Sequence, residues 1–164
     1  PPQWAGLKFF NVFGPNEYHK GTMMSVLARR FDDIKAGRVV QLFKSHRDGI
    51  ADGDQRRDFI YVNDVVRVMM WLMATPNVSG IFNVGTGTAR SFKDLILSAY
   101  AALGTSANIQ YVDMPEQIRG SYQYFTQSEV NRLQHAGYSG GFTPLEEAVS
   151  AYVGDFLNRT DPFR

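Results

Sequence analysis

The sequence predicts an α/β fold with parallel strands, and three observations carry that prediction. Short apolar runs alternate with longer stretches of helical periodicity along the whole chain. Turn and cap signals, such as Gly14-Pro15-Asn16, Gly85-Thr86-Gly87 and Thr143-Pro144-Leu145-Glu146, punctuate those runs. The 164 residues, 44% hydrophobic and 20% charged, suffice for one domain with a sizeable core.

Taken in order, Gly6 to Phe13 reads as a buried strand and Gly14-Pro15-Asn16 as the turn after it. Met23, Leu27, Phe31 and Ile34 recur at helical spacing, with Gly37 at the C-cap. Val39 to Phe43 is a short strand, followed by a polar loop from Lys44 to Gln55 that contains Gly49, Gly53 and three aspartates. Asp58 to Val62 is another strand, after which Asn63 or Asp64 caps a helix through Val65, Val68, Met69 and Leu72. Ile81 to Val84 is a strand that ends in a tight glycine turn. Ser91 then caps a helix carrying Phe92, Leu95, Ile96, Ala99 and Leu103, which Gly104 stops. Ile109 to Val112 is a strand, and the stretch from there to Phe125 is irregular. Ser128 begins a helix that Gly137 ends. A capping box at Thr143–Glu146, with Pro144 at the first helical position, starts a last helix with Leu145, Val149, Tyr152 and Phe156 on one face. A chain that opens directly inside a core strand reads as the later part of a larger sheet, a genuine N-terminal strand being the alternative.

Bulk properties exclude several classes. The net charge is +1, with Lys and Arg scattered among acids, so there is no basic stripe for duplex nucleic acid. No apolar run approaches the roughly 18–20 residues that cross a bilayer. No signal-peptide pattern opens the sequence, and with no cysteine a reduced, cytoplasmic setting is expected. His19, His46 and His135 lack zinc-ligand spacing, so no metal site is expected. The G-x-S-x-G elbow of serine hydrolases does not occur.

Five stretches could carry chemistry. Asn11-Val12-Phe13-Gly14-Pro15 lies at a strand end, where open α/β sheets bind ligands, although a plain turn has the same residues. His19-Lys20-Gly21-Thr22 places a lysine just before a helix, as a proton-transfer group or as one more solvated amine. Arg56-Arg57-Asp58-Phe59 follows a glycine-rich loop, and a guanidinium there suits a diphosphate or pairs with a nearby acid. Gly85-Thr86-Gly87-Thr88 fails the dinucleotide pattern because Arg90 takes its last position. Gly120-Ser121-Tyr122-Gln123-Tyr124-Phe125-Thr126-Gln127 mixes aromatic and small polar residues that stack a base, bond a sugar or simply pack a loop.

In this order, Asn11–Pro15, Arg57-Asp58-Phe59-Ile60-Tyr61-Val62-Asn63-Asp64-Val65 and Phe82-Asn83-Val84-Gly85-Thr86-Gly87 resemble the second half of the extended short-chain dehydrogenase/reductase family. Its members modify nucleotide-activated sugars while holding NAD or NADP. Asn16-Glu17-Tyr18-His19-Lys20-Gly21 with Met23, and Gly120–Gln123 with Phe125-Thr126-Gln127, are similar to the branch that works on ADP-heptose. The likeness runs from about Leu7 to Leu157.

The resemblance implies the last parallel strands of a Rossmann-like sheet (1–15 and about 58–90) and a small substrate-binding portion (about 16–57 and 91–164), together one compact fragment over 1–164. It implies an NADP-dependent epimerase: hydride leaves C6 of the heptose, the ketone turns, and the hydride returns to its other face, in the making of lipopolysaccharide heptose. Lys20 matches one proton-transfer group and also touches the cofactor, as Val12 does. Asn11, Thr22, Arg29, Phe43, Lys44, Ser45, His46, Arg57 and Tyr122 match contacts to the nucleotide sugar.

Departures are equally informative. Arg29 stands where the branch has histidine, and the loop from Ser45 to Arg56 is longer than in the shortest members. The family's Gly-x-x-Gly-x-x-Gly loop and its Tyr-x-x-x-Lys pair occur nowhere in the chain. The implied expectations are a missing NADP-binding N-terminal half, weak cofactor binding and no turnover by this chain alone. Open sheet edges then predict self-association or a partner that covers them. Two alternatives stay open: another UDP- or dTDP-sugar epimerase or dehydratase, which the His19-Lys20-Gly21 element disfavours, and a non-catalytic nucleotide-binding domain.

Overall fold

Two consecutive strands stand where the sequence predicts one buried strand from Gly6 to Phe13. The computed structural model describes residues 2–161 and has β1 over Ala5–Phe9 and β2 over Asn11–Phe13. They part at Phe10 because the chain changes hydrogen-bonding partners there. The amide of Phe10 still donates to Val84 O, while that of Asn11 donates to Asp58 O. Val12 N closes the kink by donating back to Phe10 O at 2.8 Å. So β1 runs parallel to β6 (Gly80–Val84) and β2 parallel to β5 (Phe59–Tyr61). Nor is β1 buried throughout: Phe9 and Ile81 are about half exposed, so no described element covers that part of the pair.

Two further pairs complete the strand set. β3 (Val40–Phe43) runs parallel to β8 (Ile109–Val112), and the short β4 (Arg56–Arg57) runs antiparallel to β7 (Arg90–Ser91). Parallel pairs require crossovers, and helices supply them.

α1 (Val26–Lys35) begins later than its apolar spacing suggests, because the Ser25 hydroxyl accepts from Ala28 N and sets the first turn. Leu27, Phe31 and Ile34 are buried as the periodicity requires, but Met23 lies outside the helix and is exposed. α2 (Val62–Ala74) starts at Val62, so neither Asn63 nor Asp64 caps it. Asp64 is instead buried, and its carboxylate accepts from the amide and hydroxyl of Thr143. The same bonds displace Thr143 from the capping box predicted for α6 (Leu145–Tyr152), while Glu146 turns to Arg90. Ser128 likewise starts no helix: its amide donates to Asp58, and α5 covers only Asn131–His135. α3 (Phe92–Leu103) keeps its predicted box, with Ser91 and Asp94 bonded reciprocally and Gly104 left-handed at its end. A one-turn helix, α4, spans Glu116–Arg119.

Two apolar clusters result. One gathers α1, α3 and α6 against β3 and β5 around Phe31, Leu95, Ile96 and Tyr152; the other sets α2 against β6 around Val68, Leu72 and Phe82. Each fully buried Leu or Ile in them contributes about 1.5–3 kcal/mol. α2 also carries a second stripe, Val66, Met69, Met70 and Met73, at helical spacing and open to solvent, with Met73 73% exposed. Among the described residues no helix is long and apolar enough to cross a membrane.

Candidate nucleotide-sugar site

The short β4 strand places Arg57 beside the start of α3. There its guanidinium lies over two rings, 5.6 Å from the centre of Phe92 and 5.3 Å from that of Tyr122. One of its N–H groups donates to Arg56 O, and it forms no ion pair among the described residues. Burial lowers the guanidinium's pKa, and the nearby Tyr122 works the other way. Burial in turn raises the Tyr122 phenol against the pull of Arg57. A cation held by rings, with most of its donors unused, is prepared for an anion.

Next to it lies a cavity of about 270 Å³ between α1, β3 and the 120–127 segment. Arg29, Phe43, Phe92 and Tyr122 line it, and Phe43 meets Tyr122 edge to face at 6.1 Å. Because Val40 and Leu42 face the core, the alternation of strand β3 turns Phe43 to the opposite face, where it lines this cavity. Tyr122 also faces an adjoining hollow with His46, Arg47 and Arg119. Tyr122 thus links the candidates: it shares one cavity with Arg29 and Phe43 and the adjoining hollow with His46, and Arg57 lies over its ring. Asn11 lines a separate hollow with Asn83, Gln123 and Thr126 on the other side of the 120–127 segment.

The remaining candidates are placed differently. Lys44 pairs with Asp113 at 3.4 Å. Ser45 spends its polar groups inside its own loop: the amide donates to Asp52 and the hydroxyl bonds Arg47. Val12 is half-buried against the second cluster. Lys20 and Thr22 sit exposed on a 3-10 stretch, Tyr18–Met23, and neither side chain bonds another described residue. They line none of the three hollows above.

Sequence reasoning missed two contributors, Phe92 and Gln55, and named a third, Tyr124, only within a stretch of mixed aromatic and polar residues. Phe92 reads as helix core by periodicity, yet it forms half of the Arg57 seat. Gln55 reads as loop, but its buried amide donates to Phe43 O and Lys44 O and ties the long loop to β3. Tyr124 accepts the His46 amide and stacks under Arg47. Gln55 and Tyr124 stand two residues from Arg57 and Tyr122 in the sequence, whereas nothing in the sequence ties Phe92 to Arg57.

The glycine turn at 85–87 does not form a dinucleotide cradle. The amides of Thr86 and Gly87 donate to the Asp58 carboxylate at 2.7 and 2.9 Å, so they cannot hold a diphosphate. Gly85 is glycine for a packing reason: a Cβ there would lie 2.6 Å from Ser128 Cβ and 2.8 Å from Asp58 Oδ2. Residues 3–85 of the chain match the model of the NAD dependent epimerase/dehydratase family. The chain belongs to that family.

Relatives narrow the likeness. The chain is 50% identical over 159 residues to the ADP-L-glycero-D-manno-heptose-6-epimerase of Nitratidesulfovibrio vulgaris, covering 97% of this chain and 49% of that protein. It is 44% identical to the enzyme of the same name from Fusobacterium nucleatum, covering 99% of this chain and 51% of that protein. The chain therefore spans about half the length of the curated relatives it matches. Among solved structures it is similar to the Helicobacter pylori ADP-L-glycero-D-manno-heptose-6-epimerase, with a TM-score of 0.77 and 26% identity over 93% of this chain and 44% of that one. The Thermus thermophilus UDP-glucose 4-epimerase in complex with NAD shares the fold, with a TM-score of 0.69 and 23% identity over 90% of this chain and 44% of that one.

Proposed function

We propose that this chain is the nucleotide-sugar-binding part of an epimerase that interconverts ADP-D-glycero-D-manno-heptose and ADP-L-glycero-D-manno-heptose at C6, in lipopolysaccharide heptose synthesis in the cytoplasm. The observation that carries the reading is the Arg57 seat beside the Arg29–Phe43–Tyr122 cavity. A diphosphate accepts the unused donors of Arg57, and a planar base packs against Phe43 and Tyr122 in the adjoining cavity. Arg29 lines that cavity and His46 the hollow beside it, and Lys44 and Ser45 shape the loop that wraps them. Asn11 and Thr22 are assigned to the sugar, and Lys20 to proton transfer at C6. An exposed, unpaired ammonium on a polar loop is free to approach a hydroxyl there.

The cofactor, NADP in this reading, takes up the hydride and returns it. The 85–87 turn gives its diphosphate no cradle, because those amides serve Asp58; Val12 and Lys20 are the neighbours assigned to the cofactor here. The rest of the relatives' length supplies that cradle, and the chain alone is inactive. The open apolar stripe of α2 and the half-exposed Phe9 and Ile81 give that missing half, or a second copy, a surface to cover.

The test is to incubate this chain with NADP and ADP-D-glycero-D-manno-heptose and follow C6 by proton NMR, with ADP and UDP as separate ligands. The expected result is no conversion, with broadening of the ADP signals that exceeds broadening of UDP and is lost in Arg57→Ala. Conversion by the chain alone overturns the incomplete-site reading. Equal or stronger broadening of UDP overturns the assignment of ADP.

A further inference from the structure

The segment that carries Lys20 and Thr22 has no buried residue from Tyr18 to Met23, and its apolar contact with the first core cluster is the part-buried Tyr18. Its backbone is also irregular, with Gly21 at φ 53° and ψ −120° breaking the helical turn. The residue that holds it lies just before it. Glu17 is 2% exposed, and its carboxylate collects three hydrogen bonds. Oε2 accepts from Ser25 N at 2.7 Å, and Oε1 accepts from the Ser25 hydroxyl at 2.7 Å and from the Tyr152 hydroxyl at 3.1 Å. Ser25 is the N-cap of α1, and Tyr152 is fully buried at the end of α6. One carboxylate thus clasps both ends of the 17–25 segment and ties them to the first core cluster.

We propose that Glu17 is a positioning residue that sets where the Lys20 ammonium stands over the sugar. This rests on the reading of Lys20 given above. Three donors converge on the two oxygens, so an acid fits where an amide does not. Glutamine brings an NH₂ group against donors and leaves at least one of them without an acceptor. Aspartate falls one methylene short. Released from the clasp, the segment loses its ties to the start of α1 and the end of α6, and Lys20 moves with it. A displacement of about 1 Å at a reacting group costs up to about 100-fold in rate.

The experiment uses the full-length protein that contains this chain, with its nicotinamide cofactor. It compares Glu17→Gln, Tyr152→Phe, Lys20→Ala and the double variant Glu17→Gln/Lys20→Ala. Expected for Glu17→Gln is a kcat lower by about 10- to 100-fold with KM for ADP-heptose changed less than about threefold. The double variant is expected to be no slower than Lys20→Ala alone, because Glu17 acts through that lysine. Amide hydrogen exchange over 18–25 rises in Glu17→Gln while α3 is unchanged. Tyr152→Phe removes a single bond and gives a smaller loss of kcat in the same pattern; it carries the test if Glu17→Gln does not fold. Unchanged kcat and exchange, or a double variant slower than Lys20→Ala by the whole Glu17→Gln factor, overturns the positioning role alone. A Lys20→Ala protein that keeps its rate overturns the reading of Lys20 and the positioning role together.

Discussion

Asp58→Asn should destabilise the chain by about 3 kcal/mol, from the following geometry. Asp58 is fully buried with no cationic partner among the described residues; its carboxylate is met by four donors. Oδ1 accepts from the amide and hydroxyl of Thr86, both at 2.7 Å, and Oδ2 from Gly87 N at 2.9 Å and Ser128 N at 3.0 Å. Asparagine does best by keeping its oxygen toward Gly87 and Ser128, because the Thr86 hydroxyl can rotate to accept from the new NH₂. The Thr86 amide is then left without an acceptor, at a cost of about 1–3 kcal/mol. The two retained bonds fall from charge-assisted to neutral strength, about 1 kcal/mol each, partly offset by no longer burying a charge. In a chain of this size about 3 kcal/mol lowers Tm by about 6–12 °C. Urea unfolding at pH 7, followed by circular dichroism, measures it, and the m-value should stay constant. Thr86→Val, which keeps the Thr86 amide bond to Asp58 but removes the hydroxyl's bonds to Asp58 and to the Thr88 backbone, should cost about 1–2 kcal/mol in the same assay. A loss under about 1 kcal/mol for Asp58→Asn at constant m would refute the claim that this carboxylate holds β5, the 85–87 turn and the 128 segment together.

Two further outcomes are expected. Hydrogen bonding from Arg90 holds the Glu146 carboxyl below its usual value, so its contribution is present above the unfolded pKa and is lost as pH falls through the lower folded one. The stability gap between the wild-type chain and Glu146→Gln should therefore stay level from pH 7 to about 5 and close by about pH 3. The pair is largely exposed, so the gap should not exceed about 1 kcal/mol; a gap that survives unchanged to pH 3 contradicts it. Separately, the chain should self-associate in sedimentation runs at high concentration, and Met69→Lys/Met73→Lys should reduce that association. A wild-type chain that stays monomeric rules out the stripe as a self-docking surface.

What could be read from the sequence was what depends on near neighbours. The Ser91–Asp94 box spans three residues, Gly104 ends the helix it starts, and β8 falls where its apolar run lies. Caps failed where a distant partner claimed the residue. Asp64 serves Thr143, Ser128 serves Asp58, and Glu146 serves Arg90, each across more than fifty residues. The candidate site follows the same division. Arg57 and Tyr122 stand out as motif residues, but the second ring under Arg57 comes from Phe92, whose helical spacing marks it only as core. Lys44 and Ser45 belong to a loop whose own aspartates and Asp113 decide where they point, and loop length does not reveal that.

The buried acids explain how a polar site can be rigid in this fold. Asp58 and Asp64 each accept from an amide and a hydroxyl of a distant segment, and Glu17 accepts from the amide and hydroxyl of nearby Ser25 and from the distant Tyr152 hydroxyl. Among the described residues only Asp64 of the three has a cation, Arg67, beside it. Burying a carboxylate is unfavourable unless its lone pairs are filled, so each acid is stable only when its segment is docked in one arrangement. Apolar anchors would tolerate sliding, since their contacts are not directional. They would also put apolar side chains into the loops assigned here to the proposed nucleotide-sugar site. A directional anchor that stands outside the loop it fixes leaves residues such as Lys20, Thr22 and Arg57 free of structural duties. The same logic makes these acids more sensitive to isosteric amide replacement than any surface charge in the chain, and it predicts that losing one acid should loosen its own segment and leave the other two in place.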